Sequence, residues 1–206
     1  MTCFKPLGGV KSREGRVEIT SFTDPDPAYS SLRVFPLPCG QCRGCRRSRQ
    51  RDYAVRAVHE SQCHKYEHGY RRGTDMNSFV TLTYSDEHLP KNGSLRKSDF
   101  TSFAKRLREY LGPFRYMHCG EYGEKYKRPH FHCLLFGIDF DFDRKQVAVR
   151  DGFPIYRSRT LDGLWPYGSH EIGGVSVASA SYVAKYIVEG LNGEQAREKY
   201  GERVAP

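Results

Sequence analysis

Apolar and polar positions along the 206-residue chain fall into segments of different period, and the period predicts the element. From about Arg43 to His68 there is no proline and a single glycine, and Tyr53, Ala54, Ala57, Val58 and Ser61 recur at helical spacing, which predicts a long helix ended by Gly73-Thr74-Asp75. Phe79–Tyr84 is a β-branched and aromatic run closed by Ser85-Asp86, the pattern of a strand. Ser98 is placed to cap a helix over Asp99–Leu111, whose Phe100, Phe103, Ala104, Leu107 and Leu111 form one stripe before Gly112-Pro113. Phe114–Gly120 and His130–Phe136 are strand-like runs separated by the turn-rich 121–129, so they are predicted to pair as an antiparallel hairpin. Residues 138–174 hold several glycines and two prolines and are expected to be an irregular insertion with short strands. Ser176–Glu189 predicts a final helix stopped by Gly190. This order predicts an α+β fold, a central antiparallel sheet with its flanking helices on one side.

The first forty residues lack such periodicity. Gly8-Gly9, Asp24-Pro25-Asp26-Pro27, Pro36 and Pro38 predict an extended, turn-rich arm with one short strand around Arg16–Ile19. Residues 1–70 are expected to form this arm and the basic helix, packed on a main domain of residues 71–206 in one compact unit.

Charge changes the picture. Thirty-three Lys and Arg against 24 Asp and Glu leave a net charge of +9, which favours a polyanionic partner, usually nucleic acid. An aromatic content of 13% excludes a disordered basic tail. No apolar stretch approaches the roughly 18–20 residues needed to span a bilayer, and Met1–Pro6 lacks the apolar run of a secretory signal. An odd count of seven cysteines fits a reducing compartment rather than a disulfide framework.

Three groups of residues carry candidate chemistry. In the run Pro129-His130-Phe131-His132-Cys133, positions i and i+2 share a face, so His130 and His132 project together and can bind a divalent metal; they could equally be hydrogen-bonding groups at a strand start. If Glu121 pairs near His130 across the hairpin, it adds a carboxylate suited to Mg²⁺ or Mn²⁺. A one-residue slip would bring His118 to that face instead, and Glu124 in the turn is a further alternative. The second group is Tyr182, Lys185 and Tyr186, which share one side of a helix at i, i+3 and i+4. A nearby cation and metal would help a phenolate form, although such tyrosine pairs more often pack on a core.

The third group is Cys39, Cys42 and Cys45, whose two-residue gaps can wrap a tetrahedral structural Zn²⁺, with Cys3 available as the fourth ligand. Cys63, Cys119 and Cys133 are expected to be small core residues. Arg43, Arg46, Arg47, Arg49 and Arg51 span more than one helix face and are expected to contact the DNA backbone. Asp139-Phe140-Asp141-Phe142-Asp143 is expected to be an exposed strand or hairpin edge.

His-hydrophobic-His on a strand followed by Tyr-x-x-Lys on a later helix resembles the HUH nucleases that start rolling-circle replication, and Phe79–Tyr84 looks like that family's first motif. Pro38-Cys39-Gly40-Gln41-Cys42-Arg43-Gly44-Cys45, Thr81–Pro90, Gly120-Glu121-Tyr122-Gly123 and Tyr182–Tyr186, in this order, resemble the replication initiators of gokushoviruses, single-stranded DNA phages of the microvirus group. The resemblance implies an HUH endonuclease with a ferredoxin-like palm that nicks single-stranded DNA at a viral origin and joins a tyrosine to the 5′ side of the break. It implies His130 and His132 as the metal pair, Tyr182 as the nucleophile, Lys185 as its lysine and Tyr186 as the second tyrosine of the two-tyrosine branch. It also implies action in the cytoplasm of a bacterial host beside the host replication machinery, without a membrane partner, and a chain that continues beyond Pro206. A non-catalytic zinc-dependent nucleic-acid-binding protein and a metal-dependent nuclease using water remain as alternatives.

Overall fold

The computed structural model describes residues 3–29, 31–67, 76–123 and 126–189. The predicted helix stops at Gly73–Asp75 and Gly190, and the alternative ligand Glu124, lie outside these residues. The chain divides into two compact units, Met1–Arg51 and Asp52–Pro206.

The first unit holds a three-stranded antiparallel sheet, β2 (Val17–Ser21), β1 (Leu7–Lys11) and β3 (Phe35–Leu37) in that order, in place of an arm with one short strand. Gly8 and Gly9 carry a turn signal in the sequence, but they lie in the middle strand because its neighbours approach too closely for side chains. A Cβ on Gly8 would lie 2.7 Å from the Ser21 carbonyl oxygen, and one on Gly9 would lie 2.7 Å from Leu37 Cδ1. Pro36 is tolerated because β3 is an edge strand. Helix α1 (Arg43–Glu67) follows, as the pattern predicts.

The second unit is α+β and is built on one six-stranded antiparallel sheet. Its strands are β4 (Asn77–Tyr84), β5 (Arg115–Tyr122), β6 (Pro129–Phe136), β7 (Arg144–Arg150), β8 (Phe153–Ser158) and β9 (Gly168–Gly174), in the order β5-β6-β4-β9-β8-β7. The predicted irregular insertion is therefore half of the sheet, and β9 pairs with β4 along its whole length. Asp151-Gly152, both with positive φ, form the two-residue turn between β7 and β8, a hairpin signal outweighed in the sequence by the surrounding polar residues. Asp139–Asp143 is a turn leading into β7, not a strand: Phe140 is fully buried, and Asp143 accepts hydrogen bonds from Ser158 Oγ at 2.6 Å and Thr160 N at 2.8 Å.

Helices cover both faces of the sheet, not one, because the inner strands are apolar on both sides. Val80, Leu82 and Tyr84 of β4 and Phe131, Cys133 and Leu135 of β6 pack with Phe100, Phe103 and Leu107 of α2 (Lys97–Leu111), and with Leu161 of α3 (Arg159–Leu164) and Trp165 just after it. On the opposite face, Leu134 and Phe136 pack with Ala54 and Ala57 of α1 and with Ala180, Val183 and Ala184 of α4 (Val177–Glu189). Helix α2 starts at Lys97, so Ser98 sits inside its first turn; the N-cap is Arg96, which makes no side-chain cap bond. Cys119 and Cys133 are buried as expected, whereas Cys63 is exposed on α1.

Candidate metal and tyrosine site

Strand pairing assembles the first three residues. Glu121 of β5 stands directly opposite His130 of β6, and Cys119 opposite His132, the register that puts the carboxylate on the histidine face. The alternative His118 points the other way and stacks on Phe100, with ring centroids 3.9 Å apart. Glu121 Oε2 lies 3.0 Å from His132 Nε2 and 3.6 Å from His130 Nε2. One donor atom from each of the three lies within 4.8 Å of those of the others.

The outer nitrogens of both rings are engaged. His130 Nδ1 is 3.0 Å from the Arg128 carbonyl, which can only accept, so that nitrogen carries the proton and Nε2 presents its lone pair inward. His132 Nδ1 is 3.0 Å from Thr81 Oγ1, whose residue pairs with His132 across the β4–β6 ladder. His132 Nε2 is buried and has no hydrogen bond, since Glu121 lies off the line that an N–H···O bond requires. Two imidazoles oriented by outer partners, an unsatisfied inner nitrogen and a carboxylate fit a divalent cation. Burial holds His132 below the usual histidine range, which keeps it neutral and competent as a ligand.

Helix α4 supplies the tyrosines. Ser176 and Ser179 cap each other reciprocally, Ser176 N donating to Ser179 Oγ at 2.8 Å and Ser179 N to Ser176 Oγ at 3.2 Å, which fixes where the helix starts. The small, fully buried Ala180 and Ala184 let the helix lie close on β5 and β6. Tyr182 then reaches the site, and its hydroxyl donates to Glu121 Oε2 at 2.6 Å. Its ring meets His132 edge-on at 5.0 Å. The Tyr186 ring lies 5.1 Å from that of Tyr182, and exposed Lys185 holds its Nζ 5.2 Å from the Tyr186 ring centre.

Electrostatics in this arrangement keep the proton on Tyr182. Burial raises the phenol's pKa, and the hydrogen bond and charge of Glu121 raise it further. Burial alone would raise Glu121 as well, but close polar contacts from His130, His132, Tyr182 and Tyr186 outweigh it and hold the carboxyl well below its usual range. A cation on Glu121 and the histidines would withdraw the negative charge that opposes phenolate formation.

Two residues that support the site are not singled out by the sequence patterns. Phe79 stacks on His132 at 5.6 Å and meets Tyr182 edge-on at 6.4 Å. Thr81 orients His132. Their signal is the alternation of Phe79, Thr81 and Thr83 along β4, which places all three on the histidine face.

In the first unit, the Sγ atoms of Cys3, Cys39, Cys42 and Cys45 all lie within 4.8 Å of one another. Cys3 and Cys42 are 3.8 Å apart, matching the edge of about 3.8 Å that follows from a Zn–S bond of about 2.3 Å in tetrahedral geometry. Backbone N–H groups point at the sulfurs: Phe4 at Cys42 (3.4 Å), Cys39 at Cys3 (3.4 Å) and Cys42 at Cys39 (3.3 Å). The backbone N–H groups of Cys45 and Phe4 bring Cys42 down to about 6, whereas burial pushes Cys45 up to about 12. A thiolate-ready pair beside a buried thiol fits a structural zinc, which would supply the missing positive charge. Arg43, Arg47, Arg49 and Arg51 are exposed and Arg46 is half-buried.

The sequence profile of a replication-associated protein family, that of the phage ORF2 proteins, matches residues 77–191. The chain belongs to this replication-associated family. It is 40% identical over 200 residues to replication-associated protein VP4 of Bdellovibrio phage phiMH2K, an alignment covering 93% of this chain and 59% of that protein. It is 32% identical over 206 residues to replication-associated protein ORF2 of Spiroplasma virus 4, covering 93% and 62%. Replication-associated protein ORF4 of Chlamydia phage 1 is 32% identical over 162 residues, covering 74% and 38%. Bdellovibrio phage phiMH2K and Chlamydia phage 1 are gokushoviruses, in line with the resemblance read from the motifs. The chain spans about 60% of the length of the first two relatives. No solved structure matches it. The segment that matches the family contains Glu121, His130, His132, Tyr182, Lys185 and Tyr186, whereas the four cysteines and the arginine series lie outside it.

Proposed function

We propose that this protein nicks and rejoins single-stranded DNA to start and end rolling-circle replication of a small phage genome, through a 5′-phosphotyrosine intermediate. The observation that carries the reading is the Tyr182 hydroxyl 2.6 Å from Glu121, beside two histidines whose inner nitrogens face the same carboxylate. A nucleophile at the edge of a metal-competent triad suits phosphoryl transfer better than a binding surface would require. Membership of a replication-associated family and relatives from phages support the same biology.

Glu121, His130 and His132 would hold Mn²⁺ or Mg²⁺, which when bound polarises the scissile phosphate and lowers the cost of the phenolate. Tyr182 Oη attacks phosphorus in line, the bond from phosphorus to the 3′ oxygen breaks, and the departing oxygen takes up a proton to become a free 3′-hydroxyl. The phosphodiester energy is kept in the tyrosine linkage, so rejoining needs no ATP. Tyr186, one helical turn away, is the nucleophile for the second cut, made while Tyr182 still carries the old 5′ end. Lys185 lies on the same side of α4 and stabilises charge on the phosphate or tyrosinate. The exposed arginines of α1 contact the DNA backbone. The reaction takes place in the host cytoplasm, where host polymerase extends the 3′ end, and among the described residues no helix is long and apolar enough to cross a membrane.

The test is a denaturing gel of labelled single-stranded origin DNA incubated with protein and Mn²⁺, followed by mass spectrometry of the adduct. DNA joined to Tyr182 or Tyr186, and lost in the Tyr182→Phe/Tyr186→Phe double variant, is the expected result. Fragments without an adduct would assign the nucleophile to water. Neither fragments nor adduct would leave a binding protein.

A further inference from the structure

A cavity of about 630 Å³ opens directly from the metal and tyrosine site, lined on its near side by His132 and Tyr182. Phe79 continues its wall, and the β7–β8 hairpin closes the far side with Phe153, Tyr156 and Arg150. The volume lies within the range of about 300–1,000 Å³ typical of small-molecule sites, more than one nucleotide base requires.

The hairpin has the chemistry of a stacking surface rather than of a core element. Phe153 follows the Asp151-Gly152 turn at the tip and is 68% exposed, an aromatic ring that the unit itself leaves uncovered. Arg144 lies over the Tyr156 ring at 4.9 Å, and Arg150 forms a two-point ion pair with Glu171 at 2.9 and 3.0 Å. The pair holds the Arg150 side chain against β9, the strand next to β4 and its Thr81. Aromatic rings interleaved with guanidinium groups match the faces and backbone of single-stranded nucleic acid, and the chain's +9 charge favours the same ligand. A purely apolar occupant would leave Arg144 and Arg150 at the rim with nothing to complement.

We propose that this cavity receives one unstacked base of the single-stranded DNA substrate, held by stacking on Phe153, and that it sets base preference at a nucleotide bordering the cut. The position relative to the cut rests on the nicking activity proposed above, because Tyr182 and His132 belong both to the cavity and to that site. Phe153 acts by binding and positioning and takes no part in bond making.

The probe is a random-sequence single-stranded 30-mer pool, used in two arms with wild-type protein, Phe153→Ala and Phe153→Tyr. In EDTA, where no cutting occurs, fluorescence anisotropy reads affinity; with Mn²⁺, sequencing of protein-bound DNA reads base frequencies around the junction. Loss of one stacking contact should weaken binding of Phe153→Ala about 5- to 100-fold, and Phe153→Tyr should restore it. Junctions formed by wild type and Phe153→Tyr should share a base preference at one bordering position, which Phe153→Ala loses there alone. Equal affinity and unchanged preference in Phe153→Ala would overturn the pocket while leaving nicking in place. Weakened binding by Phe153→Ala with no junction formed by any of the proteins would uphold base binding and overturn the nicking reading. Because Phe153 is exposed at a hairpin tip, its replacement leaves the core intact, and unchanged thermal melting checks this.

Discussion

Tyr182→Phe should bind Mn²⁺ more tightly than the wild type, although the substitution removes an oxygen from the site. The Tyr182 hydroxyl donates to the same carboxylate oxygen that faces both histidines, so phenol and cation compete for one negative charge. A hydrogen bond to a charged group contributes about 1.5–3 kcal/mol when well shielded. Tyr182 is 38% exposed, so solvent screening reduces this to about 1–2 kcal/mol. Cation binding to the wild type gives up that contribution, whereas the variant has none to give up. The affinity gain is therefore about 5- to 30-fold. By the same cycle, metal-free Tyr182→Phe should melt about 2–8 °C below the wild type, and saturating Mn²⁺ should narrow the gap. Calorimetric Mn²⁺ titration and paired melts in EDTA and Mn²⁺ read both sides of the cycle. Weaker Mn²⁺ binding by the variant would refute competition and make the phenol a ligand, and equal binding would show that the carboxylate serves both partners at once.

Two further outcomes follow from the buried thiols and imidazoles. Elemental analysis of protein purified without chelators should find about one zinc per chain, and Cys42→Ser should lose it while the Mn²⁺ titration of the tyrosine site is unchanged; zinc-free protein with all four thiols rapidly alkylated while folded would show that no such site exists. Stability should fall as pH drops below about 6.5, because His170 and His132 are held neutral by burial in the folded chain and take up protons once unfolded. Each contributes a slope of up to about 1.4 kcal/mol per pH unit down to its lowered folded pKa. Glu121, with its depressed pKa, adds a loss only below about 4.5, so urea melts between pH 7.5 and 5 isolate the histidines, and His170→Gln should lower the slope by about one proton. A flat profile over that window would contradict the burial argument.

What the sequence carries legibly is local period and same-face geometry. The β5–β6 hairpin, its Glu121–His130 register and the tyrosine helix all follow from alternation, helical spacing and turn length, which act between residues close along the chain. The misreadings share one physical cause. Glycine and proline have a local meaning in the sequence patterns, whereas the chain uses them for long-range approach: Gly8 and Gly9 admit β2 and β3 on either side of β1. Residues 138–174, rich in both, build three strands of the sheet and a short helix. Edge strands such as β7 are exposed and basic, so they carry no hydrophobic alternation to read, and only Asp151-Gly152 marks their turn. The same polarity that hid this half of the sheet from a periodicity argument suits it to a charged ligand beside the tyrosines. Alternation locates the residues proposed to break the phosphodiester, because they must be held against a core. Those proposed to choose which phosphodiester is broken lie on a ribbon exposed to the ligand, where the core imposes no pattern.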